Sequence, residues 1–147
     1  MADWTPDLTL NHELLDLQHV ELFRSLSAAA EAVDGPAAGV EAAVAAVADV
    51  LVTHFASEEA AMDDALYPER TRHRSAHELF MADFLQMREE LRRQGPTPVV
   101  ADWIGRRIPE WLAFHIRVND NPLGAYLARR RSQQPTRPAK DRSRRPS

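Results

Sequence analysis

The sequence contains no cysteine in 147 residues. That excludes disulfides, thiolate zinc sites, iron–sulfur clusters and a nucleophilic thiol, and it fits a reducing, cytoplasmic setting. Glycine is scarce, at five, and no G-x-G-x-x-G or Walker-type loop occurs, which argues against a Rossmann or P-loop nucleotide site. No apolar run reaches the roughly 18–20 residues that span a bilayer. The opening MADWTPDLTL lacks the charged segment and apolar core of a signal peptide. Neither an integral membrane segment nor export is therefore expected. Strand-like alternation is missing at any length.

Positive charge is scarce over most of the chain. Residues 1–127 hold 10 Arg against 21 Asp and Glu, a balance of −11. Residues 128–147 hold 8 Lys and Arg against one Asp, a balance of +7. An acidic body disfavours nucleic-acid binding by the main domain, whereas the basic tail suits an acidic partner. The tail, RRRSQQPTRPAKDRSRRPS after Ala128, has no large apolar residue and is expected to be disordered.

What the chain does have is helical periodicity. Trp4 and Pro6 lie in an extended N-terminal arm, with Trp4 expected to pack on the body. Leu14, Leu15, Leu22, Phe23 and Leu26 recur at helical spacing after Asn11, a candidate N-cap, and Asp34-Gly35-Pro36 breaks the pattern. An Ala/Val-rich segment over 37–66 predicts a second helix, closed by Tyr67-Pro68. A third runs over 69–94, with Phe80, Phe84, Met87 and Leu91 on one stripe, and Gly95-Pro96-Thr97-Pro98 ends it. A fourth starts near Val99, carries Trp103, Ile104, Ile108, Trp111, Leu112 and His115, and is expected to stop at Asn119-Asp120-Asn121-Pro122. Four long helices with short loops imply an all-α, antiparallel up-down-up-down bundle over 1–127, followed by the tail at 128–147.

The histidines fit that frame. His54 and Glu58, and His73 and His77, are i,i+4 pairs, one turn apart on one helix face. His19 lies about 14 residues before the first loop and His54 about 16 after it. His77 lies about 17 residues before the Gly95-Pro96 turn and His115 a similar distance beyond Pro98. Glu58 and His73 flank the Tyr67-Pro68 turn closely. At 1.5 Å per residue, all four helices deliver a metal-ligating side chain to one level of the core. Five imidazoles with Glu58 and Asp120 are too many for one ion and suit two ions sharing carboxylates. Zinc is open on this chemistry, but the mixed imidazole and carboxylate set suits iron.

The segments Leu15-Asp16-Leu17-Gln18-His19, His54-x3-Glu58-Glu59-x2-Met62, Tyr67-Pro68-x4-His73-x3-His77-x2-Phe80 and Trp111-Leu112-x2-His115-Ile116-x3-Asp120 resemble the hemerythrin family in its bacterial form, over about residues 4–127. The resemblance implies a non-haem di-iron site. One iron is held by His73, His77 and His115, the other by His19 and His54 with one position open. Glu58 and Asp120 bridge them beside an oxo or hydroxo group. It further implies that dioxygen binds at the open position, and that Phe55, Trp111, Leu112 and Ile116 line an apolar pocket over it. Two ferrous ions against two carboxylates and a hydroxide leave a nearly neutral centre. Five histidines therefore favour reversible binding, for storage, delivery or sensing, over substrate oxidation. The rival readings are an enzyme acting on peroxide, nitric oxide or oxygen, an interaction module whose basic tail docks on nucleic acid, anionic lipid or an acidic partner, and an iron-handling protein.

Other residues receive plainer expectations. Phe23, Met62 and Met81 are read as core, His12 as a cap or surface residue, and Glu59 as a solvated charge. Asp120 stands at i+5 from His115, about 140° around an ideal helix, so the helix must widen or unwind there for both to reach the irons. Pro109 lies inside the fourth helix, where its ring would meet the Gly105 carbonyl, so a kink is expected near 105–109.

Overall fold

The computed structural model describes residues 4–133. A short 3-10 turn, Pro6–Leu8, opens it, followed by α1 (Glu13–Ala32), α2 (Ala37–Asp64) and α3 (Arg70–Gln94). The fourth helix, α4, is continuous over 98–133, with two π-helical segments, Trp103–Arg107 and Ile116–Asp120, set into it. The described residues form a four-helix bundle without strands.

The ends are set by local chemistry. His12, not Asn11, caps α1, its Nδ1 accepting from the Leu15 N–H at 3.3 Å. Asn11 instead takes a left-handed φ of 56°. Asp16 folds the arm onto the helix by accepting the Leu10 and His12 N–H groups at 2.8 and 3.1 Å. Gly95, at φ 78°, ends α3, a conformation that costs glycine little. Thr97 caps α4 with Pro98 in its first turn. Trp4 is half-buried against the core, as its size required.

Each helix contributes one stripe: Leu15, Leu22, Leu26 and Ala29; Val40, Val44, Val47 and Leu51; Phe80, Phe84, Met87 and Leu91; Val100, Ile104, Ile108, Leu112 and Ile116. Phe23 and Met62 are buried and Met81 packs on the core. The apolar interior is in two pieces. A large cluster fills most of the bundle, and a small one of Met62, Tyr67 and Leu123 closes the end near the α2–α3 turn. Tyr126 braces that turn, its hydroxyl donating to the Ala65 carbonyl at 2.7 Å. The α2 helix is by length and composition apolar enough to cross a membrane, contrary to the run-length argument above. Its Val40, Val44, Val47 and Leu51 are buried inside the bundle, as are His54 and Glu58.

The fourth helix departs most from expectation. Neither Pro109 nor Asn119-Asp120-Asn121-Pro122 ends or breaks it. Each proline is the second residue after a π segment. The Ile108 N–H bonds to the Trp103 carbonyl and the Asn121 N–H to the Ile116 carbonyl, both i→i+5. That one-residue slip resets the hydrogen-bond register just before a residue that lacks an N–H, so the helix absorbs each ring by widening. The helix also continues to Gln133, six residues into the segment read as tail. Residues 128–133 are thus helical, and the rest of that segment lies outside the described residues.

Gly124 on α4 meets the arm closely. A Cβ there would lie 3.0 Å from both Leu10 Cβ and the Leu10 carbonyl oxygen. Gly124→Ala should therefore destabilise by about 1–3 kcal/mol through overpacking. Gly39→Ala, with nothing within 4 Å of the new methyl, should stabilise by about 0.5–1 kcal/mol through helix propensity. Chemical denaturation of both variants checks the opposite signs.

Candidate metal centre

The gap between the two apolar clusters is filled by polar side chains lying on the same stripes. His19 comes from α1, His54 and Glu58 from α2, His73 and His77 from α3, and His115 and Asp120 from α4. All seven are at most 2% exposed. The heights expected from residue counts are therefore met, and all seven residues converge. The widening required at Asp120 is the π segment Ile116–Asp120. With i→i+5 bonding, residue i+5 comes back over residue i, so Asp120 joins His115 on one face.

All five imidazoles aim Nε2 inward. His19 Nε2 lies 3.1 Å from Asp120 Oδ2, and His73 Nε2 lies 3.0 Å from both Glu58 Oε2 and Asp120 Oδ1. His115 Nε2 is 3.1 Å from Asp120 Oδ1, and His54 Nε2 contacts Glu58 Oε1. His77 Nε2 faces His115 Nε2 at 3.1 Å. Ligand atoms of Glu58, His73, His77, His115 and Asp120 all lie within 4.8 Å of one another, and so do those of His19, His54, Glu58 and Asp120. Both carboxylates belong to both groups.

The donor set fits metal ions better than it fits itself. His19 Nε2, His73 Nε2 and all four oxygens of Glu58 and Asp120 are buried, yet none makes an aligned hydrogen bond. Orphaned buried polar atoms of this kind cost on the order of 1–3 kcal/mol each. Burial and the Asp120 charge push the Glu58 carboxyl up, but the imidazoles of His54 and His73 outweigh them and lower it. Burial likewise opposes ionisation of Asp120, and His115, His19 and His73 hold it well below the usual carboxylate range. His73 loses charge stability to burial but gains more from Asp120 and Glu58, which lift its pKa to about 9. Burial drives His77 down to about 3.

The outer nitrogens are held in turn. His54 Nδ1 donates to Gln18 Oε1 at 2.8 Å, and Gln18 Nε2 donates to Ser57 Oγ at 3.0 Å. Asn119 reaches His115 Nδ1 at 2.9 Å. Glu59 is not a free surface charge: its carboxylate lies 3.4 Å from His77 Nδ1 and accepts from Arg74 Nε at 2.9 Å. Gln18 and Asn119 also escaped the sequence reading. The available signals were adjacency of Gln18 to His19 and the i+4 spacing of Asn119 from His115. Aromatic walls complete the site. Phe55 stacks on His77 at 4.0 Å and Trp111 on His115 at 4.5 Å, with Phe80 stacked on the far side of Trp111 at 4.0 Å. Leu112 and Ile116 are buried on the same helix. His12 is remote from this set, at the α1 cap.

Comparison with known proteins agrees with the geometry. Residues 10–127 match the family model described as the hemerythrin HHE cation binding domain. The chain belongs to the hemerythrin family. It is 34% identical over 134 residues to a bacteriohemerythrin of Ralstonia nicotianae, covering 88% of this chain and 91% of that protein. It is 31% identical over 120 residues to one of Stenotrophomonas maltophilia, covering 80% and 75%. A third, from Pseudomonas paraeruginosa, is 30% identical over 118 residues, with the same coverage. Hemerythrin membership makes the buried cluster a di-iron site and the protein a binder of dioxygen.

In the metal-free chain, a His73 pKa raised from 6.5 to about 9 means that its protonated ring stabilises the fold fully below 6.5 and stops doing so as pH rises through about 9. An iron on Nε2 needs the neutral ring. Loading near neutral pH should therefore release a proton, and apparent iron affinity should climb as pH approaches 9. Anaerobic calorimetry in buffers of different ionisation enthalpy measures that proton.

Proposed function

We propose that this chain binds dioxygen reversibly at its di-iron centre and serves as an oxygen store, carrier or sensor in the cytoplasm. The supporting observation is the division of seven buried side chains into a three-histidine group and a two-histidine group with Glu58 and Asp120 common to both. On this reading His73, His77 and His115 would hold one iron, His19 and His54 would hold the other, where dioxygen would bind, and Glu58 and Asp120, common to both groups, would serve both ions. Two ferrous ions held there supply the two electrons and the open position that dioxygen needs.

The residues then have separate tasks. Gln18 and Asn119 orient His54 and His115 through their outer nitrogens, so Nε2 stays aimed inward. Glu58 and Asp120, ionised by their imidazole neighbours, supply two negative charges and keep the loaded centre near neutral. Buried Phe55, Leu112 and Ile116, with half-buried Trp111, would keep water and its protons from the centre, although Phe55 and Trp111 stack on His77 and His115 of the three-histidine group and not over the two-histidine side expected to take oxygen. Both features favour binding over turnover. Arg129, Arg130 and Arg131 are exposed on the last turns of α4, and with the basic tail they suit an acidic partner.

Anaerobic reconstitution with iron, followed by air and then argon under visible absorbance, tests the reading. Two irons per chain and a reversible charge-transfer band are expected. One ion, mostly zinc, or sustained turnover of a reductant would overturn it. His54→Ala should abolish the oxygen adduct while leaving the helical circular dichroism signal, because it removes one of two histidines on the oxygen-binding iron. Leu112→Ala opens a cavity, costs about 2–5 kcal/mol and admits water. Decay of the oxy band should accelerate in that variant relative to the parent, and equal rates would remove Leu112 from the shielding role.

A further inference from the structure

Four of the five inward-facing imidazoles have an uncharged outer partner or none. His54 Nδ1 meets the Gln18 amide and His115 Nδ1 meets the Asn119 amide. His19 Nδ1 and His73 Nδ1 have no hydrogen-bond partner among the described residues. His77 alone faces a carboxylate, Glu59 Oε2 at 3.4 Å. That carboxylate is itself anchored. Glu59 Oε1 accepts from Arg74 Nε at 2.9 Å, and Arg74 Nη2 reaches both oxygens of Asp63 at 3.0 and 3.1 Å. Glu59 and Asp63 are one turn apart on α2, while Arg74 and His77 are three residues apart on α3. The network therefore ties the two helices together at the level of the centre. It sits beside an open, mainly apolar groove floored by Phe55 and His77, so the charge is partly solvated and Glu59 itself is 28% exposed.

We propose that Glu59, held in place by Arg74, is a positioning residue that fixes the Nδ1–H tautomer of His77 and sets the donor strength of its Nε2, and thereby the redox poise of the iron that His77 holds. The identity of that iron rests on the reading under Proposed function; the tautomer does not. A carboxylate accepting from an imidazole N–H draws the proton toward itself and leaves more negative charge on the ring. A more basic Nε2 stabilises the ferric state over the ferrous, so the centre is easier to oxidise. Arg74 shares the same carboxylate through its Nε and keeps its orientation, while Asp63 engages only the far Nη2. The asymmetry is useful: the three-histidine side carries the charged partner, whereas the two-histidine side carries the amide of Gln18.

Three variants of the full chain test this. Glu59→Gln keeps shape and hydrogen-bonding capacity but removes charge. Glu59→Ala removes the partner. Asp63→Asn disturbs Arg74 without touching His77 and controls for loss of the surface network. In the metal-free protein, nitrogen-15 correlation spectra should show His77 as the Nδ1–H tautomer in the parent and in Asp63→Asn, and a mixture of tautomers in Glu59→Ala. In the iron-loaded protein, the midpoint potential should rise in Glu59→Gln and stay at the parent value in Asp63→Asn. Iron loss to a chelator should be about 10-fold faster in Glu59→Ala, the lower end of the effect of deleting an outer partner. An unchanged tautomer in Glu59→Ala, or equal potential shifts in Glu59→Gln and Asp63→Asn, would overturn the proposal. An iron count other than two would overturn the di-iron assignment, and the tautomer result would then decide the positioning role by itself.

Discussion

Five imidazoles and two carboxylates are buried together in an apolar bundle, and the rest of the structure is arranged around that placement. Moving such groups out of water is costly unless each polar atom finds a partner. Here His19 Nε2, His73 Nε2 and all four carboxylate oxygens lack aligned hydrogen bonds, so metal ions are the partner the arrangement calls for. The same constraint divides the core. The polar layer occupies stripe positions that leucine or valine would otherwise fill, and it leaves a large apolar cluster on one side and the small Met62, Tyr67 and Leu123 cluster on the other. The small cluster and Tyr126 seal the end of the bundle that a water-filled site would otherwise open.

The fourth helix has to satisfy two demands at once. Beyond its first turn it carries two prolines, Pro109 and Pro122, that cannot donate, and it must bring a histidine and an aspartate five residues apart onto one face. A single device meets both. A π segment before Pro122 shifts the hydrogen-bond register ahead of the ring and also turns Asp120 inward. The segment before Pro109 repeats the geometry at the other end of the ligand-bearing stretch. There it lets Ile104, Ile108 and Leu112 continue the buried stripe past the ring.

Around the ligands, the outer contacts differ from ring to ring. An amide holds His54, another holds His115, and a carboxylate within an arginine network faces His77. Aromatic rings cover two members of the three-histidine group, Phe55 on His77 and Trp111 on His115. Both irons would thus be bound by the same imidazole chemistry but in unequal surroundings.

Much of this was legible in the sequence because helical geometry is local. Loop positions and a constant rise per residue are enough to put His19, His54, Glu58, His73, His77 and His115 at one height. Arithmetic on five residues is enough to show that Asp120 needs a widened helix. Absence of cysteine and glycine motifs removed the main competing chemistries. The contacts made between helices were not legible. Glu59 reads as a solvated charge from its neighbours in sequence, because its partners Arg74 and His77 lie 15 and 18 residues away on another helix. The sequence marked Pro109 as a kink and Asn119-Asp120-Asn121-Pro122 as a stop, since a proline ring clashes with the carbonyl four residues back, and only the register adopted by the whole helix decides whether that carbonyl is in the way. The chain by itself determined which groups could bind metal and at what level. The packing of four helices decided which nitrogen each histidine turns inward and what stands behind it, because those choices depend on side chains that meet only across the bundle.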